Sequence, residues 1–111
     1  MDAQALYNAL KPLQEKKGYY FNRTMDRTMD ILNGLLKNKD RYGYLACPCR
    51  LASGEREEDK DIICPCEYRE PDVKEFGTCY CHLYVSEDKK NDDDISKIKV
   101  PERRPRERMP F

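Results

Sequence analysis

The sequence has no tryptophan, a single histidine, five glycines and no long hydrophobic run. Without tryptophan, and with charged residues (38%) nearly as frequent as hydrophobic ones (39%), the chain can bury only a modest core. At 111 residues, one domain in length, such a polar chain needs a staple: a metal, a disulfide or a partner. No stretch approaches the roughly 18 apolar residues of a membrane span, so a membrane partner is not expected. The start, Met1-Asp2-Ala3-Gln4, lacks the basic residues and apolar run of a secretion signal. The expected compartment is therefore the cytoplasm, where structural disulfides are rare. An excess of positive charge is missing too, since Lys/Arg and Asp/Glu number 21 each. No nucleic-acid-binding motif is present either, so nucleic acid is not an expected partner.

The charge that is present is uneven. Residues 1–50 carry nine Lys/Arg against five Asp/Glu, and residues 97–111 six against two. Residues 55–75 carry four against nine. A basic surface can attract an acidic protein, and scattered solvated charge accounts for the pattern equally well.

Helical periodicity is confined to the first third. Ala3, Leu6, Leu10 and Leu13 predict a helix over residues 2–17, opened by Asp2 and closed at Gly18. Met25, Met29, Leu32 and Leu36 predict a second over residues 23–38, with Asn22 as its cap and Gly34 as a weak point. The two form a scaffolding hairpin, joined by the aromatic connector Tyr19-Tyr20-Phe21. Beyond them, glycines and prolines predict loops, with short helical turns at 55–61 and 72–76. Leu83-Tyr84-Val85 reads as a short strand or an apolar turn, and residues 87–94 as a solvated loop. The fold class is mainly α: a helical hairpin with irregular loops, in one domain over residues 1–100. A Pro/Arg-rich tail, residues 101–111, packs on that domain or stays loose.

All six cysteines lie between residues 47 and 81, in three Cys-x-Cys pairs: Cys47-Pro48-Cys49, Cys64-Pro65-Cys66 and Cys79-Tyr80-Cys81. Fourteen and twelve residues separate the pairs, and His82 follows the last. In a cytoplasmic chain these are metal or redox residues. Structural zinc uses wider Cys-x₂₋₄-Cys knuckles, and the common ferredoxin spacings do not occur. Four thiolates hold one iron–sulfur cluster, which leaves two. Two spare thiols beside a one-electron centre suggest a disulfide, because reducing one takes two electrons delivered singly. Tyr42, Tyr44, Leu45, Ile62 and Ile63 read as apolar shielding, and Arg50 as a surface arginine beside Cys49.

With these residues the sequence resembles the catalytic chain of ferredoxin:thioredoxin reductase, a family with two Cys-Pro-Cys motifs followed by Cys-His-Cys. The resemblance covers about residues 5–105, including Pro101-Glu102-Arg103-Arg104-Pro105. It implies that Cys47, Cys64, Cys66 and Cys79 hold a 4Fe–4S cluster, and that Cys49 and Cys81 form the redox-active disulfide. Cys49 would be the outer sulfur that attacks the acceptor. Cys81 would lie against the cluster and resolve the mixed disulfide. Ferredoxin is implied as donor and a thioredoxin-like disulfide protein as acceptor, docking on opposite sides, with a second variable subunit possible. Tyr80 stands where the family has histidine, so the family's proton-handling role falls to His82 or to Tyr80, and His82 reads equally as a partly buried structural residue. A structural zinc module for protein or nucleic-acid interaction and a simple electron carrier are the competing readings. Neither uses Cys49 and Cys81.

Overall fold

Asp2 opens the first helix by accepting a hydrogen bond from the Ala5 N–H at 2.8 Å. The structure, a computed structural model, describes residues 1–109; Pro110 and Phe111, the end of the expected tail, lie outside the described residues. Helix α1 spans Ala3–Lys16 and stops at Gly18, whose φ of +88° suits glycine. Ala3 and Leu6 are buried as the periodicity predicts. Leu13 is not: it is 58% exposed, and Gln14 turns inward instead. Arg69 Nη1 donates to Gln14 Oε1, so a polar pair settles which residue closes that end of α1.

The aromatic connector forms β1, Tyr20–Phe21. It pairs antiparallel with β2, Tyr84–Val85, in the register Tyr20↔Val85 and Phe21↔Tyr84. Phe21 stacks on Tyr7 of α1 at 4.7 Å and on Tyr84 at 5.3 Å. This aromatic column fastens the N-terminal helices to the segment that carries the last cysteine pair.

Helix α2 spans Met25–Tyr42 and packs on α1. It runs four residues past its expected end, to Gly43, where φ is +91°. Asn22 is not its cap. Thr24 occupies that position without a side-chain bond, while Asn22 accepts from the Thr24 N–H and donates to the His82 carbonyl, each at 3.0 Å. The buried face is Thr28, Ile31, Leu32 and Leu35, with Met29 and Leu36 at its margin and Met25 exposed. The buried stripe is thus rotated from the expected one. Thr28 can join it because its hydroxyl donates to the Asn22 carbonyl at 2.7 Å.

Gly34 marks the closest approach between α2 and the first cysteine pair. A Cβ there would lie 2.7 Å from Pro48 Cβ. Its value is therefore the contact it permits, beyond any propensity it costs the helix.

Two short helices follow. Helix α3, Arg56–Asp59, continues into a 3-10 turn at Lys60–Ile62, as expected. Helix α4, Arg69–Phe76, is longer than the turn read at 72–76, because Pro71 falls in its first turn, where no N–H is needed. Residues 87–94 include a 3-10 turn at Glu87–Lys89, and Arg23 Nη1 donates to the Asn91 carbonyl at 2.8 Å. Among the described residues no helix is long and apolar enough to cross a membrane.

Beyond residue 100 the chain is tied down by its arginines. Arg103 pairs with Asp72 at 2.8 Å, Arg104 with Asp61 at 2.8 Å and Arg108 with Glu67 at 3.0 Å. Arg104 is 3% exposed and also donates to the Leu51 carbonyl at 2.9 Å. Burial by itself would raise the Asp61 carboxyl, yet hydrogen bonds from Tyr68 and Arg104 hold it below the ordinary value. Its contribution to stability is therefore present above the ordinary carboxylate range and lost as pH falls below it.

Replacing Arg104 with Ala strands a buried carboxylate. It should cost about 3–5 kcal/mol, read as a lower urea midpoint, with the deficit shrinking as pH falls toward 4. Gly34→Ala should destabilise by about 1–3 kcal/mol through overpacking on Pro48, although alanine adds about 1 kcal/mol of helix propensity. A Gly34→Ala protein that gained stability would show the Pro48 contact to be soft.

Candidate functional site

Each cysteine pair is placed by a backbone element. The first follows the Gly43 stop of α2, and the second follows the Lys60–Ile62 turn. An antiparallel bridge at Ala46↔Ile63 joins them: the Cys47 N–H donates to the Ile62 carbonyl at 2.9 Å, and the Cys64 N–H to the Leu45 carbonyl at 2.8 Å. Cys47 and Cys64 are thereby set side by side. The Cys64-Pro65 peptide bond is cis.

The third pair forms the turn into β2. The Cys79 N–H donates to the Tyr84 carbonyl at 3.0 Å, and the His82 N–H to the Cys79 carbonyl at 3.0 Å. His82 itself sits at φ +63°, the left-handed region that a non-glycine residue rarely adopts. Asn22 holds both sides of this turn, bonding the His82 carbonyl through its side chain and the Leu83 carbonyl through its N–H at 2.9 Å.

The result gathers all six cysteines, which are unpaired thiols in the structure. Cys47, Cys64, Cys66, Cys79 and Cys81 line one enclosed cavity, together with Arg50, Arg69, Tyr80 and Tyr84. Cys49 is absent from that lining. It lines a neighbouring cleft with Arg50, Leu51, Tyr80, Glu102, Arg104 and Met109. Arg50 and Tyr80 border both spaces. The Cys79 and Cys81 sulfurs are 3.7 Å apart, and Arg27 spans Cys49 Sγ and the Cys81 carbonyl. The cysteines thus divide into five that share one cavity and one, Cys49, that lines the cleft beside it.

Charge around the sulfurs is organised by arginines. Arg50 is a correction to the sequence reading: it is 8% exposed rather than a surface residue. Its Nε bonds both Glu102 oxygens at 2.9 and 3.1 Å, and its Nη1 is 3.5 Å from Cys66 Sγ. Its guanidinium lies over Tyr80 at 4.5 Å and Tyr68 at 5.1 Å. Arg69 lies over Tyr19 at 3.8 Å and Tyr84 at 4.8 Å. On α2, Arg27 Nη2 is 3.9 Å from Cys49 Sγ and 3.2 Å from the Cys81 carbonyl.

The thiols respond differently. Burial pushes Cys64 well up, although the residue keeps some exposed surface. Burial also pushes Cys66 up to about 11 against the opposing pull of Arg50. Cys49 is pushed down, first by its hydrogen bond with Cys47, then by that with Cys81 and by the Arg27 charge. Cys81 moves the opposite way, raised first by hydrogen bonding within the thiol cluster and then by burial. His82 Nε2 is 2.7 Å from the Ile98 carbonyl, so this nitrogen carries a proton. Tyr84 Oη is buried without a hydrogen-bond partner.

The cysteine spacing gave no sign of three of these residues. Arg27 and Tyr84 belong to packing patterns whose neighbours are far away in sequence. Glu102 did carry a signal, since it lies in the Pro-Glu-Arg-Arg-Pro segment on which the resemblance partly rests.

Comparison with known proteins agrees with this arrangement. The profile of the family described as "Ferredoxin thioredoxin reductase catalytic beta chain" matches residues 2–104. The catalytic chain of ferredoxin-thioredoxin reductase from Guillardia theta is 34% identical over 71 residues, covering 62% of this chain and 66% of the relative. That of Porphyra purpurea is 28% identical over 86 residues, covering 76% and 70%. That of Synechocystis sp. is 27% identical over 86 residues, covering 76% and 70%. The chain spans about two thirds of the length of these relatives. With a match that begins before α1 and ends beyond the Arg50–Glu102 pair, the chain belongs to the ferredoxin thioredoxin reductase catalytic beta chain family, a family of oxidoreductases.

Proposed function

We propose that the chain is a ferredoxin-dependent disulfide reductase in which Cys47, Cys64, Cys66 and Cys79 hold a 4Fe–4S cluster and Cys49 and Cys81 exchange with the acceptor. One observation carries the assignment: five cysteines line one cavity while Cys49 lines the neighbouring cleft instead, with Arg27 touching both Cys49 Sγ and the Cys81 carbonyl.

The cavity's chemistry suits a cluster. Four thiolates are its usual ligands. The Tyr84 N–H lies 3.4 Å from Cys79 Sγ, Arg50 donates toward Cys66, and the unpartnered Tyr84 hydroxyl is a further donor in the cavity wall. Such donors and cations stabilise negative charge on sulfur. When bound, the cluster supplies electrons one at a time.

The protein's own residues perform the exchange. The Cys49 thiolate attacks the acceptor disulfide, a Cys49–acceptor bond forms, the acceptor S–S bond breaks, and the departing sulfur takes a proton. Cys81 then attacks Cys49 Sγ. The Cys49–Cys81 disulfide forms and the second acceptor thiol leaves. Two electrons from the donor, with two protons from solvent, break that disulfide and return both thiols. Cys81, buried with its sulfur 3.7 Å from Cys79, is the proposed resolving thiol. His82 donates from Nε2 to the Ile98 carbonyl and lines neither space, whereas Tyr80 borders both, so Tyr80 is the better placed of the two for the proton-handling role. Ferredoxin is the proposed donor and a thioredoxin-like protein the proposed acceptor, with room for a second variable subunit.

Anaerobic purification followed by an absorption spectrum and iron, sulfide and zinc analysis tests the cluster. About four irons and four sulfides per chain are expected. Zinc without sulfide, even after anaerobic reconstitution, would overturn the assignment in favour of a structural metal module. Cys49→Ser should keep the brown chromophore and lose disulfide reduction. Cys81→Ser should accumulate the acceptor as a stable mixed disulfide on Cys49, seen as a mass shift that dithiothreitol reverses. Capture at any other cysteine would reassign the nucleophile.

A further inference from the structure

Arg27 differs from most arginines near the cysteines. Arg50, Arg103, Arg104 and Arg108 each meet a carboxylate within 4.0 Å. Among the described residues Arg27 meets none. Its Nη2 contacts the Cys49 sulfur at 3.9 Å and the Cys81 carbonyl at 3.2 Å, and its Nε is buried with no hydrogen-bond partner. A partly buried guanidinium without a counter-charge is costly unless an anion meets it for part of the working cycle. The anion within reach is the Cys49 sulfur. The side chain is also well aimed, since it springs from the first turn of α2, the helix wedged against Pro48 at Gly34.

We propose that Arg27 is a further catalytic residue, setting a permanent positive charge against the Cys49 sulfur whenever that sulfur carries negative charge. The inference rests on the assignment of Cys49 and Cys81 as the exchange pair. Cys49 is anionic when it attacks, before its bond to the acceptor sulfur forms and the acceptor S–S bond breaks. It is anionic again when two electrons break the Cys49–Cys81 disulfide. Arginine does not lose its proton in proteins, so the charge is present at both moments. The Cys81 carbonyl contact holds the guanidinium between the two cysteines. A cation that favours the reduced sulfur makes the disulfide easier to reduce, and its removal makes reduction harder.

The test compares wild type, Arg27→Gln and Arg27→Lys, each purified anaerobically with its metal content measured. The midpoint potential of the Cys49–Cys81 couple is read by alkylation and mass spectrometry across graded dithiothreitol redox buffers. Arg27→Gln should shift the equilibrium about tenfold toward the disulfide, about 30 mV more negative. It should lower kcat for a thioredoxin-like acceptor with little change in KM, while Arg27→Lys recovers most of both. An unchanged potential in Arg27→Gln overturns the proposal. So do equal losses in both variants accompanied by lower iron content and a lower unfolding midpoint, the mark of a purely structural residue. Cys49→Ser separates the two levels: turnover retained in that variant refutes the exchange pair itself. A dead Cys49→Ser beside a wild-type potential in Arg27→Gln refutes the role of Arg27 alone.

Discussion

Two backbone hydrogen bonds across the Ala46↔Ile63 bridge decide where the site is. They hold Cys47 beside Cys64 although sixteen residues lie between them. Neither cysteine pair belongs to a long element that could fix it alone. The bridge converts two loops into one rigid edge, and Gly34 lets α2 press on that edge at Pro48. The third pair is brought to the same place by β2, which β1 anchors to the helices. Once those contacts exist, six thiols converge against the hydrophobic core that α1 and α2 supply.

Convergence creates an electrostatic problem. Buried sulfurs resist ionisation, as Cys64 and Cys66 show, yet both metal binding and exchange require thiolates. The structure answers with cations that are themselves supported. Arg50 stacks on Tyr68 and Tyr80 and is fixed by Glu102, and Arg69 stacks on Tyr19 and Tyr84. The segment beyond residue 100 supplies Glu102 and is itself pinned through Asp61 and Asp72. That segment therefore forms part of the support for the site. Loss of its ion pairs reaches the cysteines through Arg50.

The sequence reveals these layers unequally. Chemistry that resides in a short motif is plain there: three Cys-x-Cys pairs, their prolines, and the excess of two thiols over four ligands. The helical hairpin is plain as well, because period and caps are local. What the periodicity misplaces is decided by distant partners. Gln14 displaces Leu13 because Arg69, 55 residues on, needs an acceptor. Asn22 leaves the cap position because it bonds His82, 60 residues away. Arg50 reads as a surface residue until Glu102 and two tyrosines close around it. In each case hydropathy ranks the residue alone, while burial depends on whether a polar partner is delivered to it.

The two thiols proposed to exchange, Cys49 and Cys81, are brought together across the chain. They come from different pairs, Cys49 from the first and Cys81 from the third, so the contact between them spans two loops that only the folded centre unites. Cys47 and Cys79, the companions of these thiols within each pair, line the enclosed cavity. Any group that gathers Cys47 and Cys79 therefore also sets Cys49 against Cys81. Had both surplus thiols come from one Cys-x-Cys pair, they would stay close in the unfolded chain, and their reactivity would not depend on assembly of the site. Drawn from separate pairs, they meet only when the folded site is built. Under the proposed assignment that makes exchange depend on the same assembly that gathers the other cysteines, and Arg27, reaching from α2, touches both Cys49 and the Cys81 carbonyl.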